Sequence, residues 1–79
     1  MNAKAIRRNL YKVLRKTGVP KERISEDASF RDELFADELD MNFFLFFLET
    51  RFDLAIKNDE IVQLTSVKST IDYLQRHCA

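Results

Sequence analysis

Carboxylates gather just before the most aromatic stretch of this chain, where they form its densest group of chemically capable side chains. Glu33, Asp37, Glu38 and Asp40 lie within eight positions of one another. A metal ion needs several convergent His, Cys or carboxylate ligands, usually four for structural zinc. Acids at the start of a helix are more often solvated, and they interact favourably with the positive end of the helix dipole. We therefore expect no metal ion at this cluster.

The adjacent His77 and Cys78 are the other side chains with catalytic potential. A nucleophilic cysteine needs a base that a third group positions. This pair falls in the last turn of a predicted helix, where the dipole disfavours a thiolate. Gly18 is the only glycine, so the sequence contains no glycine-rich phosphate loop. The sequence thus predicts that the chain is not an enzyme.

Length and composition indicate one small globular domain over residues 1–79. The chain is 46% hydrophobic and 33% charged, which is typical of a folded protein rather than a disordered one. Thirteen basic and thirteen acidic residues cancel, so nucleic acid is not an expected partner. A single cysteine excludes an internal disulfide. Without a signal-peptide pattern or an apolar run of about 20 residues, a cytoplasmic location is expected and a membrane span is not.

The charges are nevertheless segregated along the chain. The stretch through Lys16 contains six basic residues and no acid, namely Lys4, Arg7, Arg8, Lys12, Arg15 and Lys16. The segment from Glu22 to Asp40 contains eight acids, with Arg23 and Arg31 as its only basic residues. Such blocks are usually solvated faces, which is the simplest interpretation here.

Apolar periodicity and helix boundary residues predict a four-helix bundle with a long loop between helices 1 and 2 and a short third helix. The helices are expected at about residues 2–16, 37–51 or 37–52, 58–64 or 59–64, and from a cap at 65 or 66 onward. Gly18 and Pro20 end the first helix. Ile24, Phe30 and Leu34 are expected to attach the loop to the core. Asp37 caps the second helix, and Asp40 completes a pattern like a capping box.

The second helix is apolar on more than one side. At about 100° per residue, one stripe should be buried in the core, and it consists of Met41, Phe44, Leu45, Leu48 and Phe52. A second group then points elsewhere, and it consists of Leu39, Phe43, Phe46, Phe47 and Thr50. Such a group favours association or a ligand, because each exposed Phe forgoes about 1.5–3 kcal/mol of burial. Two alternatives are that one or two rings, Phe47 first, fold under the long loop, or that the rings surround a cavity for an acyl chain.

Several short motifs occur in an order and spacing that resemble the acyl carrier protein family. They are Asp27-Ala28-Ser29-Phe30, Asp37-Glu38-Leu39, Phe52-Asp53, Thr65-Ser66-Val67 and Ile71-Asp72-Tyr73-Leu74. The likeness covers nearly the whole chain and implies the family's helical bundle, in which the second helix is the docking surface.

Two residues depart from the family's pattern. The resemblance implies a motif Asp-Ser-Leu whose serine is esterified with phosphopantetheine, but Glu38 stands in the place of that serine. A carboxylate has no hydroxyl to modify, so no cofactor is expected. Phe35 stands where the family usually has glycine, and its ring is expected to crowd a backbone that normally lies open beside the prosthetic arm. Glu38 is either a neutral loss or a charge that imitates the phosphate of the arm.

The expected function is therefore protein–protein contact without carrier chemistry. Leu39, Asn42, Phe43 and Phe46 would form the interface, while Asp37, Glu38 and Asp40 orient it. The partner would be a fatty-acid or polyketide-type enzyme, a true carrier protein or a second copy of the chain. One alternative is a working carrier with an unusual attachment site or with a serine mutated to Glu38. Another alternative is a bundle that binds a free acyl chain or lipid.

Overall fold

Helices dominate the fold, as the sequence predicts. In the computed structural model, which describes residues 2–78, helix α1 spans Ala3–Thr17, α2 spans Glu38–Phe52 and α3 spans Val67–His77. Helix α1 packs against both α2 and α3. Over the described residues the only β interaction is an isolated antiparallel bridge between Ser29 and Ser66. The predicted all-α class is confirmed.

Asn2 caps the start of α1, and Gly18 ends it. The Asn2 side chain accepts a hydrogen bond from the Ala5 N–H at 2.8 Å, which satisfies a donor that has no partner within the helix. Gly18 follows the helix at φ 113°, and its N–H bonds the Leu14 and Arg15 carbonyls. This left-handed conformation favours glycine because any Cβ would be strained there. The predicted end of the first helix is confirmed.

The long connection between α1 and α2 is more ordered than a loop. It contains a turn of 3₁₀-helix, Lys21–Arg23, and a turn of π-helix, Phe30–Leu34. The Ser29 hydroxyl accepts from the Asp32 N–H, so a side-chain cap starts the π turn. Phe30 and Leu34 are buried and Ile24 is half-buried, which confirms that these three residues attach the segment to the core.

The predicted third helix is only a single turn of 3₁₀-helix, Ile61–Gln63. Residues 58–60 form a turn instead of the first part of the helix. The Glu60 side chain accepts from the Lys57 N–H at 3.1 Å, which closes this turn locally. The result is a bundle of three α-helices within residues 2–78, with short helical turns in its connections.

The start of α3 is hydrogen-bonded to the connection between α1 and α2. Ser66 and Ser69 exchange hydrogen bonds, each hydroxyl accepting from the other's backbone N–H, which is a reciprocal cap. The Phe30 N–H also bonds the Thr65 carbonyl at 2.9 Å, and the Lys68 N–H bonds the Glu26 carbonyl at 2.9 Å. The sequence predicts a cap at residue 65 or 66, and Ser66 is the N-cap residue of α3. These bonds fix the segment before α2 against the start of α3.

The core is a continuous apolar cluster from all three α-helices and the long connection. Ile6, Leu10 and Leu14 from α1 meet Phe44 and Leu48 from α2, all fully buried. Within residues 2–78, no helix combines the length and the apolar character that crossing a bilayer requires.

Candidate functional site

The start of α2 is built around carboxylates that accept backbone hydrogen bonds. Asp37 lies just before the helix, and its Oδ1 accepts from the Asp40 N–H at 3.2 Å. Asp40 Oδ2 in turn accepts from the Ala36 N–H at 2.8 Å. The predicted cap is confirmed for Asp37. Asp40 reaches one residue further back than a capping box requires, so this second bond also fixes the approach of the chain to the helix.

Glu38 is the first residue of α2 and points into solvent. Its side chain is 66% exposed and pairs with the exposed guanidinium of Arg31. An ion pair between two such exposed groups contributes little to stability, because water and salt screen it. The pair nevertheless brings the π turn and the start of α2 together. A shallow depression beside it is lined by Arg31, Phe35, Ala36, Asp37 and Glu38.

Phe35 lines this depression, but most of its side chain is buried, and the expected crowding of the backbone stays a prediction. The side chain is only 7% exposed and turns into the core. Its ring centroid lies 5.2 Å from that of Phe30 and 5.3 Å from that of Phe44, and Phe30 and Phe44 are 4.6 Å apart. Three rings in mutual contact add about 0.5–1.5 kcal/mol per pair beyond burial. Phe35 therefore helps to fix the segment that carries Glu38.

An apolar surface runs along the exposed side of α2. Leu39 is 58% exposed, Phe43 47% and Phe46 60%. These residues are spaced by four and three positions, so they form one stripe, and the exposed Asn42 lies beside it. We call Leu39, Phe43 and Phe46 the α2 stripe. Its exposure matches the expectation from the sequence, whereas its role in binding stays a prediction.

Phe47 and Leu45 differ from their predicted positions. Leu45 is half-buried rather than buried. Phe47 is half-buried as well, but it packs beside α1 and not under the long connection. The ammonium of Lys16 lies 4.9 Å from the centroid of the Phe47 ring, a cation–π contact. The Phe47 ring also stacks on Phe43 at 6.2 Å and meets the edge of Phe46 at 5.7 Å. Phe47 thereby links the α2 stripe to α1.

A groove between α1 and α2 continues from this link. It has a volume of about 520 Å³, with Val13, Phe46 and Phe47 as its apolar residues. Its polar residues are Asn9, Lys12, Lys16, Thr50 and Arg51. Analysis of the sequence missed this groove. The one signal for it was the absence of acids from the first helix, which was attributed to a solvated face.

The structure also locates the two groups considered for metal binding and catalysis, the carboxylates near the start of α2 and the pair His77 and Cys78. Among the described residues, no three His, Cys, Asp or Glu side chains come together as a metal site would require. Glu33 accepts instead from the Ser29 N–H at 3.2 Å. Burial raises the pKa of the Cys78 thiol, which disfavours the thiolate that nucleophilic chemistry needs.

A buried tyrosine connects the end of α3 to the turn before it, and sequence analysis missed this contact too. The Tyr73 hydroxyl donates to Glu60 Oε1 at 3.1 Å, and the Tyr73 ring stacks on His77 at 4.1 Å between centroids. Burial, and then the bond to Glu60, raise the pKa of Tyr73 to about 12. The Lys57 N–H holds the pKa of Glu60 below its usual value. The arrangement fastens the 57–63 segment to α3.

Compared with models of known protein families, the chain matches none.

Replacing Phe35 by Ala should lower the free energy of unfolding by about 3–5 kcal/mol, because it leaves a cavity beside Phe30 and Phe44. Phe46→Ala is the matched control, since the same atoms are removed from a ring that is 60% exposed. We expect Phe46→Ala to lower the free energy of unfolding by less than about 1 kcal/mol. Urea unfolding followed by circular dichroism measures both. Equal losses of unfolding free energy in Phe35→Ala and Phe46→Ala would contradict the prediction.

Tyr73 should still be largely protonated at pH 10 in the folded chain. The folded state holds the phenol proton more tightly than the unfolded chain does, so its contribution to stability is present below pH 10 and is lost as pH rises toward 12. Tyrosinate absorbance of the Tyr11→Phe variant, which leaves Tyr73 as the only tyrosine, measures the ionisation. The same variant unfolded in urea is the control. Identical titration curves in the two states would contradict the prediction.

Proposed function

We propose that this chain is an acyl-carrier-protein-like domain that cannot take phosphopantetheine and acts through protein–protein contacts of α2. The observation that carries the proposal is Glu38, an exposed carboxylate in the first turn of α2 at the position where the resemblance implies an attachment serine. Attachment of the arm forms a phosphodiester through a serine hydroxyl oxygen. Glu38 offers no hydroxyl, so the domain keeps the docking helix and lacks the arm.

The other serines beside the helix starts support Glu38 as the lost position. The Ser29 hydroxyl caps the π turn, and those of Ser66 and Ser69 cap α3 reciprocally. None of these serines lies between an aspartate and a leucine, as the family's attachment residue does. Their hydroxyls serve the local backbone, so we do not assign the arm to any of them.

The α2 stripe supports contact with another protein. Its three side chains are large, apolar and about half-exposed or more, while the rest of the helix is anchored in the core by Met41 and Phe44. Aromatic side chains dominate the energetic centres of protein interfaces. Asp37 and Glu38 lie at the end of the stripe and would orient a partner there. In the proposed pathway, fatty-acid or polyketide-type, the partner is an enzyme, a true carrier protein or a second copy.

The first experiment is intact-mass spectrometry after incubation with coenzyme A and a broad-specificity phosphopantetheinyl transferase. We expect no mass gain for the chain as it stands, because Glu38 has no hydroxyl. We expect Glu38→Ser to gain one phosphopantetheine, because the exposed start of α2 would then present a hydroxyl. Glu38→Gln is the control, since it removes the charge without adding a hydroxyl. A mass gain on the unaltered chain would show that another residue carries the arm.

A second experiment tests the α2 stripe as an interface. Sedimentation velocity of the chain alone, with an acyl carrier protein and with a ketosynthase reports which complex forms. Phe43→Ser should weaken that complex by at least about tenfold, because a central aromatic contact is typically worth more than 1.4 kcal/mol. Val62→Ser is the matched control, since Val62 is apolar and 75% exposed but lies outside α2. Equal effects of the two substitutions, or no complex at all, would refute the interface.

A further inference from the structure

The groove between α1 and α2 is lined by both apolar and positively charged side chains. Phe46 and Phe47 line it together with Lys12, Lys16 and Arg51, and the Lys16 ammonium lies over the Phe47 ring. Lys12 and Lys16 are four residues apart on α1, so they lie one helical turn apart on the same side. Arg51 is held toward α1, because its Nε donates to Asn9 Oδ1 at 2.8 Å. Cations from both helices therefore line the groove.

Positive charge continues on the other side of Lys12. A second groove of about 480 Å³ is lined by Arg8, Tyr11, Lys12, Arg15, Lys21 and Ile24. Within residues 2–78, no carboxylate lines either groove, and α1 contains no acid. Among the described residues of α1, only Arg7 forms an ion pair with a carboxylate, that of Glu26. A chain with zero net charge thus presents one strongly basic face with apolar grooves in it.

The charges at the other end of α2 restrict what can occupy the groove. The α2 stripe leads from the groove toward the exposed carboxylates of Asp37 and Glu38. An anionic membrane or a nucleic acid carries negative charge throughout and would be repelled at that end. A protein segment carries separate charges, so it can place acids against Lys12 and Lys16 and present no negative charge to the acidic end of α2. Two neighbouring helices also form the kind of groove that an amphipathic helix fills.

We propose that the groove between α1 and α2 binds an acidic amphipathic helix of a partner protein. The apolar side of that helix lies on Phe46 and Phe47, beneath which Val13 is buried. Its carboxylates, one turn apart, pair with Lys12 and Lys16. The inference deepens the proposed function, because Phe46 belongs both to the groove and to the α2 stripe. It adds the chemical class of the partner and places part of the contact on α1.

The test uses two fluorescein-labelled peptides of about 18 residues, enough for five turns of helix. One has Leu along one face and Glu on the flanks, and the other has Lys in place of every Glu. Fluorescence anisotropy with the full chain should give at least about tenfold tighter binding of the acidic peptide. The affinity should fall as NaCl rises from about 0.05 to about 0.5 M, because salt screens the contacts between charged groups.

Two double variants locate the binding site. Lys12→Glu with Lys16→Glu should weaken the acidic peptide by about tenfold or more. Lys57→Glu with Lys68→Glu makes the same change in net charge at exposed positions outside the groove, and it should change the affinity less than about twofold. Thermal unfolding checks that both variants fold. Unchanged binding by the first variant, or equal loss in both, would overturn the inference.

Two further outcomes would also overturn it. One is tight binding to phosphatidylserine vesicles with no binding of the acidic peptide, which would make the basic face a lipid-binding surface. The other is self-association that the Lys12 and Lys16 substitutions abolish and that excludes the peptide, which would make a second copy the occupant. The proposed function is tested separately by Glu38→Ser and Phe43→Ser. Failure of the peptide to bind while Phe43→Ser still disrupts a complex would therefore remove only the groove from the interface.

Discussion

Mutual contact among Phe30, Phe35 and Phe44 sets the position of the start of α2, where Glu38 lies. Phe44 belongs to α2, whereas the other two rings come from the π turn and the residue that follows it. Burying each ring contributes about 1.5–3 kcal/mol, so the three together outweigh the exposed polar contacts around Glu38. Backbone hydrogen bonds from Phe30 to Thr65 and from Lys68 to Glu26 then join this segment to α3. The start of α2 is consequently held by core packing, and Glu38 lies on the exposed side of this packed segment.

A helix that is fixed in this way can leave apolar side chains in water. Met41, Phe44 and Leu48 anchor α2, while Leu39, Phe43 and Phe46 remain on its outer side. A bundle of this size has too little interior to cover both sides of such a helix. These exposed side chains are therefore a consequence of a sequence that is apolar all round, and we propose that another protein covers them. Phe47, held between Phe43 and Lys16, makes that surface continuous with the basic side of α1.

Acidic residues at the start of α2 and basic residues on α1 lie at opposite ends of the apolar surface. Acids at the start of α2 interact favourably with the helix dipole and also serve as hydrogen-bond acceptors, which is why they are tolerated so close together. Among the described basic residues of α1, Arg7 forms an ion pair with Glu26, and the ammonium of Lys16 lies over the Phe47 ring. Arg15 and Lys16 lie in the last turn of α1, where the helix dipole favours positive charge. In the proposed interface, an apolar stripe that leads from carboxylates toward ammonium groups would discriminate between partners by the position of their charges. Electrostatic complementarity of this kind contributes specificity more than affinity.

The sequence by itself determined the three α-helices, the boundary residues Asp37 and Gly18, and two candidate caps for α3. It also determined the buried side of α2 except Leu45, and the exposure of Leu39, Phe43 and Phe46. These features depend on spacing and on local hydrogen bonds, which neighbouring residues decide. Tertiary structure alone decided the burial of Phe35, the place of Phe47 beside Lys16, the bond from Tyr73 to Glu60 and the groove between α1 and α2. Each of these depends on which segments meet in space. Periodicity says which side of a helix is apolar, but only packing decides which neighbour covers it.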